Sequence, residues 1–311
     1  MMVYAKPAAT GEGHLRAPKP LRMLWISAAW GACFLAIRWG LEYAPVLWFA
    51  ALRAIVAGVA LLIVAGVMRR PIPRGLHAWL LITALAAVNV TVAFGAMFAG
   101  VAGLATGTAA VLANAQPLLI VLPAWWLYGE AVSARTVVAL MVGFAGLLMV
   151  ALPGGGGSGA VLSLLAAVGI TAGTLLARRL GELDILMVSG WHFVIGGVAL
   201  AVWAAAVEGA PQIAWTPRFV VLLAFLSLVG TAAAFVAWFT ETKYCRLDAL
   251  TAWTFLVPVV GIVLAAVVLD ERPAGWSAVG LFAVLVSLWV ILRPRYGRGR
   301  RTSAINERIA P

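Results

Sequence analysis

Charge is what this 311-residue chain has least of: Asp, Glu, Lys and Arg together make up 11% of it, against 64% for the apolar set AVILMFWYC. A soluble domain is about half apolar and a quarter charged, so a water-soluble fold is excluded. Cysteine is scarce as well. Cys33 lies in the first apolar run and Cys245 in a polar connection near the other end, which leaves neither a disulfide framework nor a thiolate metal site. Enzyme signatures are missing: there is no His-Glu-x-x-His pair, no Gly-x-Ser-x-Gly elbow, and the glycines 154–157 lead to Ser158 without the lysine of a phosphate-cradling loop. Neither a metal nor a cofactor is expected.

Long apolar runs fill the space that charge vacates. They fall at about 21–37, 45–67, 77–98, 105–127, 135–152, 160–177, 185–207, 219–240, 248–269 and 276–292. At 1.5 Å rise per residue each is long enough to cross a bilayer as a helix. The breaks carry turn chemistry, as in Arg69-Arg70-Pro71-Ile72-Pro73-Arg74-Gly75, Pro153 with the following glycines, and Glu208-Gly209-Ala210-Pro211. The expectation is therefore an all-α membrane protein of ten spans.

The net charge of +11 does not require nucleic acid, because of 22 Lys and Arg, 18 lie in the two tails and the even-numbered loops or at the run ends beside them. Arg38, Arg218 and Arg272 occupy odd-numbered loops, and Arg53 is inside the second run. The positive-inside rule then predicts both termini in the cytoplasm, and the expected location is the plasma (inner) membrane. The first run has no cleavage-like site after it and is read as an uncleaved span.

The chain repeats itself. Pro117 precedes Glu130 by 13 residues, and Pro258 precedes Glu271 by the same number. Gly58-Val59-Ala60-Leu61 recurs as Gly197-Val198-Ala199-Leu200, which sets Arg53 opposite His192 in the alignment of the halves. With five spans per copy, the second copy enters the membrane from the opposite face, so the repeats are inverted, the architecture of secondary transporters.

Trp30-Gly31-Ala32-Cys33-Phe34, Gly40-Leu41-Glu42-Tyr43-Ala44-Pro45 leading to Ala51-Leu52-Arg53, the segment from Gln116-Pro117 to Gly129-Glu130, and that from Val257-Pro258 to Asp270-Glu271-Arg272 resemble the two halves of EamA-type carriers of the drug/metabolite transporter (DMT) superfamily. The resemblance spans about residues 21–293 and is nearest to the YddG-like amino acid exporters. It implies efflux of amino acids, aromatic ones among them, through a cavity at the centre of ten helices. It also divides the chain into a tail (1–20), a first five-helix repeat (21–152), a glycine-rich linker (153–159), a second repeat (160–292) and a basic tail (293–311). Alternatives are a proton-coupled multidrug or metabolite effluxer of the same superfamily and, from another class, an integral-membrane lipid-modifying enzyme. A channel is a third. The expected partners are a small-molecule substrate and membrane lipid, with no nucleic acid and no attached ATPase.

All eleven acidic residues fall in loops, tails or helix ends, which favours facilitated or exchange transport over carboxylate-coupled proton antiport. Arg53 and His192 are the ionisable groups well inside runs, each about eight residues in. Arg53 has two readings: a charge complement for a carboxylate in a water-filled cavity, or a side chain that snorkels to the interface. His192 either bonds a neighbouring carbonyl or takes part in binding or proton coupling. Asn89, Asn114, Gln116 and Thr254 are candidate cavity residues, the competing reading being interhelical bonding. Trp30, Trp238 and Trp253 lie deeper than the interfacial tryptophans and offer ring faces to a solute or to packing. Pro117 and Pro258 are candidate helix breaks, where a missing N–H frees a carbonyl one turn back.

Overall fold

A computed structural model describes residues 15–130, 132–151, 157–268 and 276–292. The described residues form helices and connections, with no strand among them. Eight helices are long and apolar enough to cross a membrane. These are α1 (Pro20–Gly40), α2 (Val46–Val67), α3 (Leu76–Gly103), α4 (Thr106–Tyr128), α6 (Ser158–Leu180), α7 (Ile185–Val207), α8 (Pro217–Tyr244) and α9 (Leu247–Val268). Two further apolar helices are α5 (Ala134–Ala151) and α10 (Ser277–Leu292). The tails 1–14 and 293–311, most of the expected linker, and Glu271 lie outside the described residues.

The helices begin and end where local chemistry says they should. Pro20 and Pro217 stand in the first turn of α1 and α8, where a missing N–H costs nothing. The Asp184 carboxylate and the Thr216 hydroxyl cap α7 and α8 by accepting from the N–H groups of Met187 and Phe219. Gly129 ends α4 at φ 67°, a left-handed conformation that glycine adopts without strain.

Polarity runs from inside to outside in the opposite sense to a soluble protein. Leu80, Trp203, Val221, Phe282 and Trp289 are exposed, whereas Arg53, Asn89, Gln116, His192 and Thr231 are buried. Such a surface is stable against lipid and unstable against water. Hydrophobic burial supplies no drive between helices in lipid, so contact rests on close packing of small residues. Along the α2–α7 seam, a Cβ added to Gly58 would lie 2.7 Å from the Val194 nitrogen and 2.8 Å from the Gly190 carbonyl oxygen.

The pairings follow one pattern. α2 packs along α7 and α5 along α10; α1 packs on α8 and α9, and α6 on α3 and α4. Exchanging α1–α5 with α6–α10 maps this set onto itself. Two irregularities that the apolar runs do not reveal obey the same exchange: α3 loosens into a π-helical turn over Ala87–Val92, and α8 does so over Phe225–Ala233. In each turn a threonine hydroxyl donates to the carbonyl five residues earlier, Thr91 to Ala86 and Thr231 to Leu226. These threonines stand 140 residues apart.

Candidate functional site

The site is assembled from three departures from regular helix. In α4, proline has no N–H and its ring collides with the carbonyl of residue i−4, so the helix stops at Ala113 and restarts at Gln116 with Pro117 in its first turn. Asn114, at the break, donates its side-chain amide to the Ala110 carbonyl (2.8 Å), and Gln116 reaches α6 to donate to the Thr174 hydroxyl (2.7 Å). In α9, a short 3-10 turn, Trp253–Phe255, precedes the helix holding Pro258. In α8, the π turn accommodates two donors on a single carbonyl: Trp30 Nε1 (3.1 Å) and Arg53 Nη2 (3.3 Å) both donate to Gly230 O.

Arg53 turns inward and does not snorkel. It is 2% exposed, its Nε donates to the Thr231 hydroxyl at 2.7 Å, and its guanidinium stands over the ring of Phe94 at 4.7 Å. Its remaining nitrogen, Nη1, is buried without a hydrogen-bond partner. Trp30, Cys33, Phe34, Arg53, Phe94, Met97, Asn114, Gln116, Ile170, Phe235 and Val257 line a cavity at this point. Its volume is about 40 Å³. That is room for about three waters. Among the described residues one cation and no carboxylate line the cavity, so their field favours an anionic group.

Of the residues singled out from sequence, Trp30, Arg53, Asn114 and Gln116 meet at this cavity. Trp238 stands behind it, 5.1 Å from the Trp30 ring, with its indole N–H bonded to Thr174. The others are placed elsewhere. Trp253 packs at the α1–α9 contact, where its carbonyl accepts from Ser27, and Thr254 donates to the Thr251 carbonyl. Asn89 presses on α6 at Gly173. His192 is fully buried among Phe193 (4.0 Å) and Phe239 (5.6 Å), with Nδ1 against the Val188 carbonyl at 3.2 Å. The side chains of Phe34, Phe94, Met97 and Phe235 escape sequence reasoning because apolar residues are everywhere in such helices. Thr231 had a usable signal in its spacing from Thr91.

Ion pairs join the two sequence halves at the end of the bundle where α1 begins. Arg178, closing α6, donates to the Glu130 carboxylate beyond α4, to the Thr242 carbonyl in the last turn of α8 and to the Cys245 carbonyl just past it. Glu130 also accepts from the Leu247 N–H at 2.8 Å. Beside this pair, Glu241 takes Arg22 at 2.7 Å, Arg16 at 2.8 Å and the Cys245 thiol at 3.2 Å. The hydrogen bond to Glu241 raises the pKa of Arg16 above the ordinary guanidinium value. Burial, and then the Glu241 carboxylate, push the Cys245 thiol up to about 12. Between these ion pairs and the cavity stand the rings of Phe235, Phe239 and Trp238.

A buried cation lies on a cavity beside a broken helix, and ion pairs join the two halves of the sequence at one end of the bundle. The profile of the EamA-like transporter family matches residues 21–152 and again 157–293. The chain belongs to the EamA-like transporter family. It is a multi-pass membrane transporter of small molecules and not an enzyme. A Streptantibioticus cattleyicolor protein named "Probable terminal-alkyne amino-acid exporter" is 31% identical over 90% of this chain and 95% of its own length. A Bacillus subtilis protein, "Uncharacterized transporter YvbV", is 28% identical over 89% of this chain and 95% of its own. The "Probable amino-acid metabolite efflux pump" of Salmonella typhimurium is 23% identical over 91% and 97%. A crystal structure shares the fold with a TM-score of 0.71 at 19% identity, covering 87% of this transporter and 94% of the other chain.

Proposed function

We propose that this transporter exports amino acids, aromatic ones among them, and related carboxylate-bearing metabolites as a facilitator or exchanger working by alternating access. The observation that carries the reading is Arg53, a buried guanidinium with one unpartnered nitrogen on a cavity that holds no carboxylate. A charge kept in hydrocarbon is costly and is retained where a ligand or partner meets it. Trp30, Phe94 and Phe235 give the apolar end of the solute ring faces, while Asn114 and Gln116 give its polar end amides. Names of two relatives contain amino-acid efflux or export, in keeping with this class of solute.

The proposed architecture is ten spans in two inverted five-helix repeats, 21–152 and 160–292, joined by the linker 153–159, with both tails cytoplasmic in the plasma (inner) membrane. Support comes from the two matches of one family profile, the helix pairings that survive exchange of the halves, and the paired π turns. The eighteen Lys and Arg on one set of connections support the orientation. Access alternates when the ion lock opens and the rings between lock and cavity part. The narrow cavity widens when solute enters.

Counterflow of labelled phenylalanine in proteoliposomes tests the function. Saturable exchange is expected without an imposed pH gradient or membrane potential, since among the described residues no carboxylate lines the cavity to carry a proton. An absolute need for a proton gradient refutes the facilitator reading and favours the proton-coupled effluxer.

A further inference from the structure

His192 has no task in the cavity just described, yet it occupies the place in the second half that Arg53 occupies in the first. The register of Gly58-Val59-Ala60-Leu61 with Gly197-Val198-Ala199-Leu200 sets the two residues in correspondence, each eight positions into its helix. The surroundings correspond too. Arg53 of α2 is held by Thr231 in the π turn of α8, while Thr91 in the π turn of α3 donates to the Gly196 carbonyl of α7, one turn from His192. One member of the pair faces the cavity. The other is fully buried, and its Nε2 has no hydrogen-bond partner.

Exchange of conformations between inverted repeats is how such carriers alternate. We infer that His192 becomes a substrate-facing residue when the tail end opens, and that its Nε2 accepts a hydrogen bond from the solute's ammonium group. The inference rests on the alternating-access reading above. Nδ1 lies on the Val188 carbonyl, which can only accept, so Nδ1 carries the hydrogen and Nε2 of the neutral ring presents a lone pair. A lone pair selects a donor. Arg53 selects the carboxylate, and together they describe a zwitterion handed from one end to the other. The route is short: Phe235 on the cavity wall touches Phe239 at 5.7 Å, and Phe239 touches His192 at 5.6 Å. Separating the Phe235–Phe239 pair joins the cavity to the imidazole.

Kinetics measured separately from each face test this. His192→Phe is expected to raise the tail-side KM for phenylalanine about tenfold, the loss of one bond to a charged group, and to leave the opposite-side KM within about twofold. The tail-side KM for 3-phenylpropionate, which lacks the ammonium, stays unchanged, and His192→Gln restores most of the phenylalanine affinity. Equal effects on both faces, or equal effects on both solutes, overturn the inference. Accessibility separates its failure from that of alternating access. In a background with Cys33→Ala and Cys245→Ala, His192→Cys and Thr242→Cys are each labelled from the tail side by a charged methanethiosulfonate, with and without Glu130→Gln to cut the lock. Both sites should gain reactivity. Reactivity at 242 without reactivity at 192 overturns the role of His192 while alternating access stands; protection of both overturns the lock and the inference together.

Discussion

Arg53→Gln removes the cation of the cavity and leaves its scaffold standing. Thr231 keeps its bond to the Leu226 carbonyl at 2.7 Å, and Trp30 keeps its bond to Gly230 O at 3.1 Å, so the π turn does not depend on the guanidinium. Stability changes through two opposed effects. The ring contact with Phe94 at 4.7 Å is lost, a loss of up to about 2 kcal/mol for a desolvated pair. Burial of a charge is relieved in the same step, and that burial is itself costly. Affinity has no such offset, since a hydrogen bond to a charged group contributes about 1.5–3 kcal/mol, or roughly 10–150-fold in KM for a carboxylate-bearing solute. Arg53→Lys keeps charge without the fork: one ammonium cannot hold Thr231 and Gly230 while meeting a carboxylate, and an intermediate KM is expected. Counterflow of phenylalanine gives the KM, thermal melting of the detergent-solubilised protein controls for folding, and phenethylamine, which lacks the carboxylate, shows whether the preference for acids disappears. A folded Arg53→Gln protein with parental KM and parental selectivity would falsify the placement of the carboxylate.

Four further outcomes are expected. Gln116→Ala removes the cavity amide tied to Thr174 and should raise KM by about tenfold or more with insertion intact, as measured by the same counterflow. Gly58→Leu drives a side chain into the backbone of α7 and should lower stability by about 1–3 kcal/mol in a melting experiment, whereas Gly66→Ala, which meets nothing within 4 Å, should not; equal melting would remove the seam as a close contact. The thiolate is the nucleophile, so a Cys245 thiol pushed up to about 12 should label with maleimide roughly 10³-fold more slowly at pH 8 than an ordinary thiol, with the rate still climbing above pH 9; a plateau near pH 9 contradicts the burial and the Glu241 contact. Arg70→Cys and Ala210→Cys should react with impermeant reagents from opposite faces, the first from the cytoplasm, and labelling of both from one face excludes the proposed topology.

Much of the fold was legible in residue order alone. Apolar length sets where a helix can cross lipid, because unsatisfied backbone groups cannot stay in hydrocarbon, and the ends of α2, α7 and α8 fall within a few residues of the apolar runs. The spacing of Pro117 from Glu130 and the match of Arg53 with His192 are likewise features of the sequence, and they are what suggests a repeat. Which way side chains face was not legible. A helix apolar on every side carries no inward stripe, since lipid and protein interior are equally oily, and so periodicity does not separate Trp30 on the cavity from Trp253 at a helix contact. The tertiary structure decided that Arg53 faces inward, that His192 stands among rings outside the cavity, and that Arg178 closes on Glu130 across the halves. Each of these depends on a partner from a distant helix. Thr231 and the Gly230 carbonyl reach Arg53 only because α8 loosens into a π turn and packs on α2, a meeting of segments some 180 residues apart that local preference does not encode.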